Sequence, residues 1–144
     1  MKAKDILAEK GQDVYSIDRE ATALEAARLL SEKRIGALPV TSGPRVVGIF
    51  TERDLVARVV AAERDPQATR VGEVMTTPVI CCQLDTTKAE CVRVMTERRI
   101  RRLPVVEGDA LVGIISIGDI LAQEVAGQRD TIRYLHEYMF DRPR

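Results

Sequence analysis

The sequence predicts an α+β fold built from one unit written twice, and three observations carry that prediction. The stretch Gly48-Ile49-Phe50-Thr51-Glu52-Arg53-Asp54 recurs, 65 residues on, as Gly113-Ile114-Ile115-Ser116-Ile117-Gly118-Asp119. Leu38-Pro39-Val40 recurs at the same offset as Leu103-Pro104-Val105. A helix start precedes each, with Thr22 and Glu25 in one copy and Thr87 and Glu90 in the other. The order expected in each copy is strand, helix, strand, strand, helix. The whole is then two pseudo-symmetric repeats whose small sheets pack face to face.

Each element has a local reason. Val14-Tyr15-Ser16-Ile17 and Pro78-Val79-Ile80-Cys81 read as a short first strand of each copy. Helices are expected over residues 23–33 and 88–98, because a hydroxyl three residues before a carboxylate fits the capping box. Leu24, Ala27 and Leu30, like Ala89, Val92 and Met95, fall on one face at helical spacing. Val46-Val47-Gly48-Ile49-Phe50 and Leu111-Val112-Gly113-Ile114-Ile115 are bulky and apolar, as buried strands are. Turn residues, Thr41-Ser42-Gly43-Pro44 and Glu107-Gly108-Asp109, join each to the Leu-Pro-Val strand before it and make a hairpin. A second helix is expected over about 54–63 and again over about 119–125. The register slips only near the start, where Ile6-Leu7 matches Val74-Met75 at an offset of 68, so the first copy carries three extra residues before its strand.

The expected divisions are residues 1–65 and 66–126 for the two repeats, with 64–69 as linker, and a helical tail over 127–144. A half of about sixty residues buries a marginal core alone, which favours one compact pair over two separate beads. The tail stretch from Thr131 to Met139 reads as an amphipathic helix that docks back or pairs with another subunit.

Composition narrows the function. The 144 residues carry 22 Lys plus Arg against 22 Asp plus Glu, a formal net charge of zero, which argues against a general affinity for nucleic acid or anionic membrane. No apolar run reaches the length of a membrane span, and the first residues lack the apolar core of an export signal. Cys81, Cys82 and Cys91 are an odd number without a Cys-x-x-Cys. Reduced thiols in the cytoplasm are therefore expected, most simply as small buried hydrophobes. His136 is the single histidine, so neither a metal site nor a histidine relay is expected. Gly43 and Gly48 are spaced like a phosphate loop but lack the Lys-Ser/Thr that would follow. With no nucleophile beside a base, an enzyme is the least favoured class.

The doubled Gly-apolar-apolar-Thr/Ser-x-x-Asp, with the doubled Leu-Pro-Val and its preceding helix, resembles a CBS-domain pair, the regulatory module named after cystathionine beta-synthase. The resemblance runs from about Lys2 to Val125, and the chain is similar to the short stand-alone bacterial members. It implies two clefts between the repeats, binding AMP, ADP, ATP, S-adenosylmethionine or NAD in different members and empty in others. It also implies modules that pair into flat dimers, so a homodimer is expected.

Physical chemistry gives the doubled motif a task. A carboxylate accepts hydrogen bonds from both hydroxyls of a ribose, which assigns Asp54 and Asp119, at about 1.5–3 kcal/mol per charge-assisted bond. Thr51 and Ser116 stand where a helix begins, and a helix N-terminus attracts phosphate. By resemblance, the first strand of the opposite repeat supplies the adenine slot, and basic residues just before Leu-Pro-Val reach phosphate. Cleft one then joins Thr51, Arg53 and Asp54 to Val79, Ile80, Arg101, Arg102 and Pro104. Cleft two joins Ser116, Gly118 and Asp119 to Val14, Tyr15, Gly36, Ala37 and Pro39. Gly36 and Ala37 stand where cleft one has Arg101 and Arg102, and Gly118 where it has Arg53, so no cation is expected in cleft two. Cleft one should prefer phosphorylated ligands, and cleft two should bind more weakly or hold only a nucleoside part.

Plainer readings stand beside these. Thr51-x-x-Asp54 and Ser116-x-x-Asp119 are also helix caps, and both roles can coexist. The run Arg98-Arg99-Ile100-Arg101-Arg102 fits phosphate binding or a solvated face; without an aromatic platform it is a poor nucleic-acid site. The expected function is a non-enzymatic sensor of an adenine nucleotide, requiring no cofactor, that acts by population shift on a downstream protein. The alternatives are a ligand-independent interaction or dimerisation module with vestigial clefts, and a thiol redox sensor.

Overall fold

The computed structural model describes residues 1–11 and 14–125. The expected tail helix over 127–144, including His136, lies outside the described residues. The elements run α1 (Ala3–Lys10), β1 (Ile17–Asp18), α2 (Ala23–Lys33), β2 (Ala37–Ser42), β3 (Arg45–Thr51), α3 (Glu52–Asp54), α4 (Val71–Val74), β4 (Cys82–Gln83), α5 (Lys88–Arg98), β5 (Arg102–Glu107), β6 (Ala110–Ser116) and α6 (Ile117–Val125). Helix α3 continues directly as a π-helical stretch, Leu55–Val60.

The repeat holds to the level of single hydrogen-bonded pairs. In the first hairpin Ala37 faces Thr51, Val40 faces Gly48, and the register shifts between Val40 and Thr41. In the second, Arg102 faces Ser116, Val105 faces Gly113, and the shift falls between Val105 and Val106. Gly43 and Gly108 turn the hairpins with φ of +61° and +64°. Arg34 and Arg99 end α2 and α5 in the left-handed conformation, at +55° and +54°. Helices α2 and α5 take the expected bounds. Both begin on a threonine, Thr22 or Thr87, whose hydroxyl accepts from the backbone N–H three residues on, at 3.1 Å in each.

Four outlines differ from expectation. The first strands are shorter and later, because only Ile17–Asp18 and Cys82–Gln83 lie alongside β2 and β5. The apolar residues before them line hollows instead of pairing in the sheet. The helix after β3 is found over 52–60 and that after β6 over 117–125, each starting directly behind its capping hydroxyl. The short helices α1 and α4 were not expected. Finally, the two three-stranded sheets join along β3 and β6 into one order, β1-β2-β3-β6-β5-β4. The joint rests on the pair Arg45–Ala110, flanked by bonds from the Val46 N–H to the Asp109 carbonyl and from the Leu111 N–H to the Pro44 carbonyl.

The two cores exchange their leading segments. Val71 and Val74 of α4 are buried with Ala23, Leu30, Leu38, Val40 and Phe50 in the first repeat. Ala3 and Ile6 of α1 are buried with Cys91, Met95, Leu103, Val105 and Ile115 in the second. Gly48 and Gly113 permit these crossings. A Cβ on Gly113 would meet Leu7 of α1 at 2.7 Å, and one on Gly48 would meet the Thr76 carbonyl at 3.1 Å. The linker is pinned in the same way: Ala23 and Leu24, at the start of α2, donate to the carbonyls of Thr69 and Pro66.

Phe50 is fully buried at the centre of the first core. Phe50→Ala is expected to cost about 3–5 kcal/mol, whereas Val112→Ala, on an exposed strand position, should cost under about 1 kcal/mol. Urea denaturation of the two variants measures the difference.

Candidate functional site

Two capping boxes organise the clefts. At the end of β3, the Thr51 N–H donates to the Asp54 carboxylate at 3.0 Å and the Asp54 N–H returns a bond to the Thr51 hydroxyl at 3.1 Å. At the end of β6, Ser116 and Asp119 do the same at 2.8 and 3.0 Å. The cap reading therefore describes both motifs, and each carboxylate keeps acceptor capacity beyond the cap.

Beside Thr51 lies a cavity of about 390 Å³. Thr51, Arg53, Val79, Ile80, Arg101, Arg102 and Pro104 all line it, so seven of the eight residues assigned to cleft one meet there. Asp54 does not reach its wall. It is 5% exposed, and its carboxylate accepts the Thr76 hydroxyl at 2.9 and 3.0 Å, with the Arg58 guanidinium at 3.7 Å. Thr76 also forms a one-residue bridge with Ile49, accepting the Ile49 N–H and donating to the Ile49 carbonyl at 2.8 Å. Sequence reasoning missed Thr76, whose repeat partner by the 68 offset is Ala8, with nothing to mark it. It also left Arg99 out of the cleft, although Arg99 belongs to the arginine run and lines the cavity.

The electrostatics of cleft one are one-sided. Arg53, Arg99, Arg101 and Arg102 all border it. Among the described residues none of these four guanidiniums takes part in an ion pair.

Cleft two is divided. Tyr15, Ala37 and Ser116 line a cavity of about 290 Å³ together with Lys10, Ile35, Arg102 and Ile114. Val14 opens into a separate hollow beside α1, and Asp119 into a third beside Lys10 and Gln123. Pro39 is buried within β2, and Gly118 is exposed on the first turn of α6. Gly36 lies under the Arg102 guanidinium, whose nearer nitrogen would be 3.3 Å from a Cβ there. The expectation that cleft two holds no cation is corrected. Arg102 reaches it across the seam, and Lys10 Nζ sits 2.8 Å from Asp119 Oδ2 and donates to the Ile114 carbonyl at 2.7 Å. Comparing positions 65 apart could not find Lys10, because α1 follows the other offset.

Partial burial works to raise the Asp119 pKa, but hydrogen bonds from Lys10 and from the Ser116 N–H, with the Lys10 charge, outweigh it and hold the carboxyl below its usual range. Burial, with Cys91 alongside, pushes the Cys82 thiol up to about 12, and burial raises Cys81 and Cys91 as well. Thiols so shifted form little thiolate near neutral pH, which leaves the redox reading without a reactive sulfur.

The CBS domain profile matches residues 3–61 and 71–125. The chain is 33% identical over 115 residues to the CBS domain-containing protein YhcV of Bacillus subtilis, covering 80% of this chain and 81% of that one. The solved CBS-domain containing protein ATU1752 from Agrobacterium tumefaciens superposes with a TM-score of 0.77 at 39% identity, over 86% of this chain and 99% of that one. The CBS domain pair of protein MJ0100, in complex with 5′-methylthioadenosine and S-adenosyl-L-methionine, superposes with a TM-score of 0.76 at 26% identity, over 89% and 98%.

Two measurements check the local chemistry. A carboxyl whose folded pKa is depressed contributes stability above its unfolded value, near ~3.9 for aspartate, and loses it as pH falls through the folded value. The cost of Lys10→Met in urea should therefore be full at neutral pH and shrink as Asp119 protonates; a cost independent of pH contradicts the pairing. Near neutral pH, Cys82 and Cys91 should resist a thiol-exchange reagent in the native protein and react promptly in denaturant. With the repeat, its paired hairpins and both capped carboxylates in place, and with the profile matching each half, this chain belongs to the CBS-domain family as a tandem pair.

Proposed function

We propose that the chain is a non-enzymatic regulatory module that binds a phosphate-bearing adenosine ligand in cleft one. The observation that carries this reading is the meeting of four arginines, without ion pairs among the described residues, on a cavity walled by Val79, Ile80 and Pro104. Apolar walls suit a purine, and planar guanidiniums suit phosphate oxygens. The complex of the MJ0100 pair with two adenosine compounds supports the ligand class. Charge narrows it: four cations favour AMP, ADP, ATP or NAD over S-adenosylmethionine, which carries a positive sulfonium.

Asp54 takes part by exchange. A ribose hydroxyl replaces the Thr76 hydroxyl on its carboxylate, one neutral donor for another. Thr76 leads into Val79 and Ile80, so the exchange moves the wall of the cleft and favours one arrangement of the two repeats over the other. A partner protein or the second subunit of a homodimer reads that change.

The alternative, an interaction module that needs no ligand, draws on exposed apolar side chains. Val56 and Val60 on the π-helical stretch are 61% and 66% exposed, and Leu121 on α6 is 47% exposed.

Calorimetric titration separates the two readings. AMP or ATP should bind, adenosine more weakly, and the affinity should fall with salt. Arg101→Ala and Arg99→Ala should each lower AMP affinity about tenfold or more, from the ~1.5–3 kcal/mol of a charge-assisted bond, and leave adenosine little changed. No binding and no thermal shift with AMP, ADP, ATP, NAD or S-adenosylmethionine sinks the proposal in favour of the alternative.

A further inference from the structure

The two carboxylates are alike in their caps and unlike in their third partner. In the first repeat, Thr76 does two jobs: its hydroxyl bonds Asp54 and its N–H bonds the Ile49 carbonyl. In the second repeat the matching groups are Asp119 and the Ile114 carbonyl, 65 residues on. Both are bonded by the single ammonium of Lys10, at 2.8 and 2.7 Å. Thr76 and Lys10 stand at different places in the repeat, Thr76 two residues after α4 and Lys10 on the last turn of α1. Thr76 meets β3 through its backbone, in the bridge with Ile49, whereas α1 stays helical to Lys10 and it is the long lysine side chain that reaches β6 and Asp119.

We propose that Lys10 is the specificity-determining residue of cleft two, its ammonium standing on Asp119 where a ribose would bind, so that nucleosides are confined to cleft one; this rests on the reading of cleft one as an adenosine site. The two exchanges differ in kind. On Asp54 a ligand hydroxyl replaces a protein hydroxyl, and no charge changes partners. On Asp119 a neutral hydroxyl must displace an ammonium that holds a carboxylate and a strand carbonyl together. Both charged side chains are about three-quarters covered, at 28% and 23% exposure. Separating them leaves two half-buried charges without partners, a loss that a hydroxyl cannot make good. Lys10 also lines the cavity of Tyr15 and Ser116 as well as the hollow of Asp119. It stands between the ring that would face a base and the carboxylate that would hold its sugar.

The test counts sites by calorimetry with adenosine and with AMP, using the full chain. The wild type should show one site, insensitive to Asp119→Asn. Lys10→Met, which keeps the apolar stem and removes the charge, should gain a second site at least about tenfold tighter than any in the wild type at that cleft. Asp119→Asn added to Lys10→Met should abolish the gain. Lys10→Gln serves if the methionine variant melts early, and circular dichroism confirms the fold of each. A site count unchanged in both Lys10 variants overturns the inference, as does a wild type that fills two sites, one of them lost in Asp119→Asn. A wild type with no site and a Lys10 variant with one would sink the cleft-one reading and leave standing only the block that Lys10 sets on Asp119.

Discussion

The structure depends on a shortage of apolar surface. Each repeat has one small hairpin and two helices to close over it, and a unit of that size covers its core poorly alone. The shortage is met by exchange: α4 closes the first core with Val71 and Val74, and α1 closes the second with Ala3 and Ile6. Much else follows from these crossings. Gly48 and Gly113 lack a side chain because the partner's segment passes over them. Residues 66 and 69 cap α2 because the chain must run past its start on the way to α4. Each crossing also delivers a polar group, Thr76 or Lys10, to the capping carboxylate of the other repeat.

The parts legible in the sequence were those in which local chemistry and the repeat agree. The bounds of α2 and α5 could be read because a threonine cap, an apolar stripe and a stop all lie within a dozen residues. The hairpins could be read because Gly43 and Gly108 must adopt positive φ where the turn closes. The helices α1 and α4 could not, since eight and four residues hold little periodicity and their helical state is decided by burial against the other repeat. The first strands were misplaced for a related reason. Val79 and Ile80 are apolar because they wall a cavity, and an apolar run does not say whether it faces a sheet neighbour or a hollow.

The clefts divide along the same line. Residues carried by the repeat itself, such as Thr51, Arg101 and Arg102, meet as the motif spacing implies, and the opposite repeat brings Val79 and Ile80 to them. Thr76 and Lys10 were invisible because they belong to segments that follow a different offset and act on the far repeat. Asp54 shows the limit of reading a motif by residue type: its carboxylate is turned inward and bonded by its own chain, so what a ligand meets first is the rim of arginines. The asymmetry between the clefts thus arises twice, once from Arg53, Arg99 and Arg101, which line cleft one while Arg102 borders both, and once from the unlike donors set on the two aspartates.

The exchange of leading helices bears on how such a chain can grow or be cut. A fragment carrying only the first repeat would keep Ala3 and Ile6 with nothing to cover and would lack the valines that close its own sheet. The smallest heritable brick is therefore the interlocked couple, and any longer array assembled from it would lengthen two copies at a time.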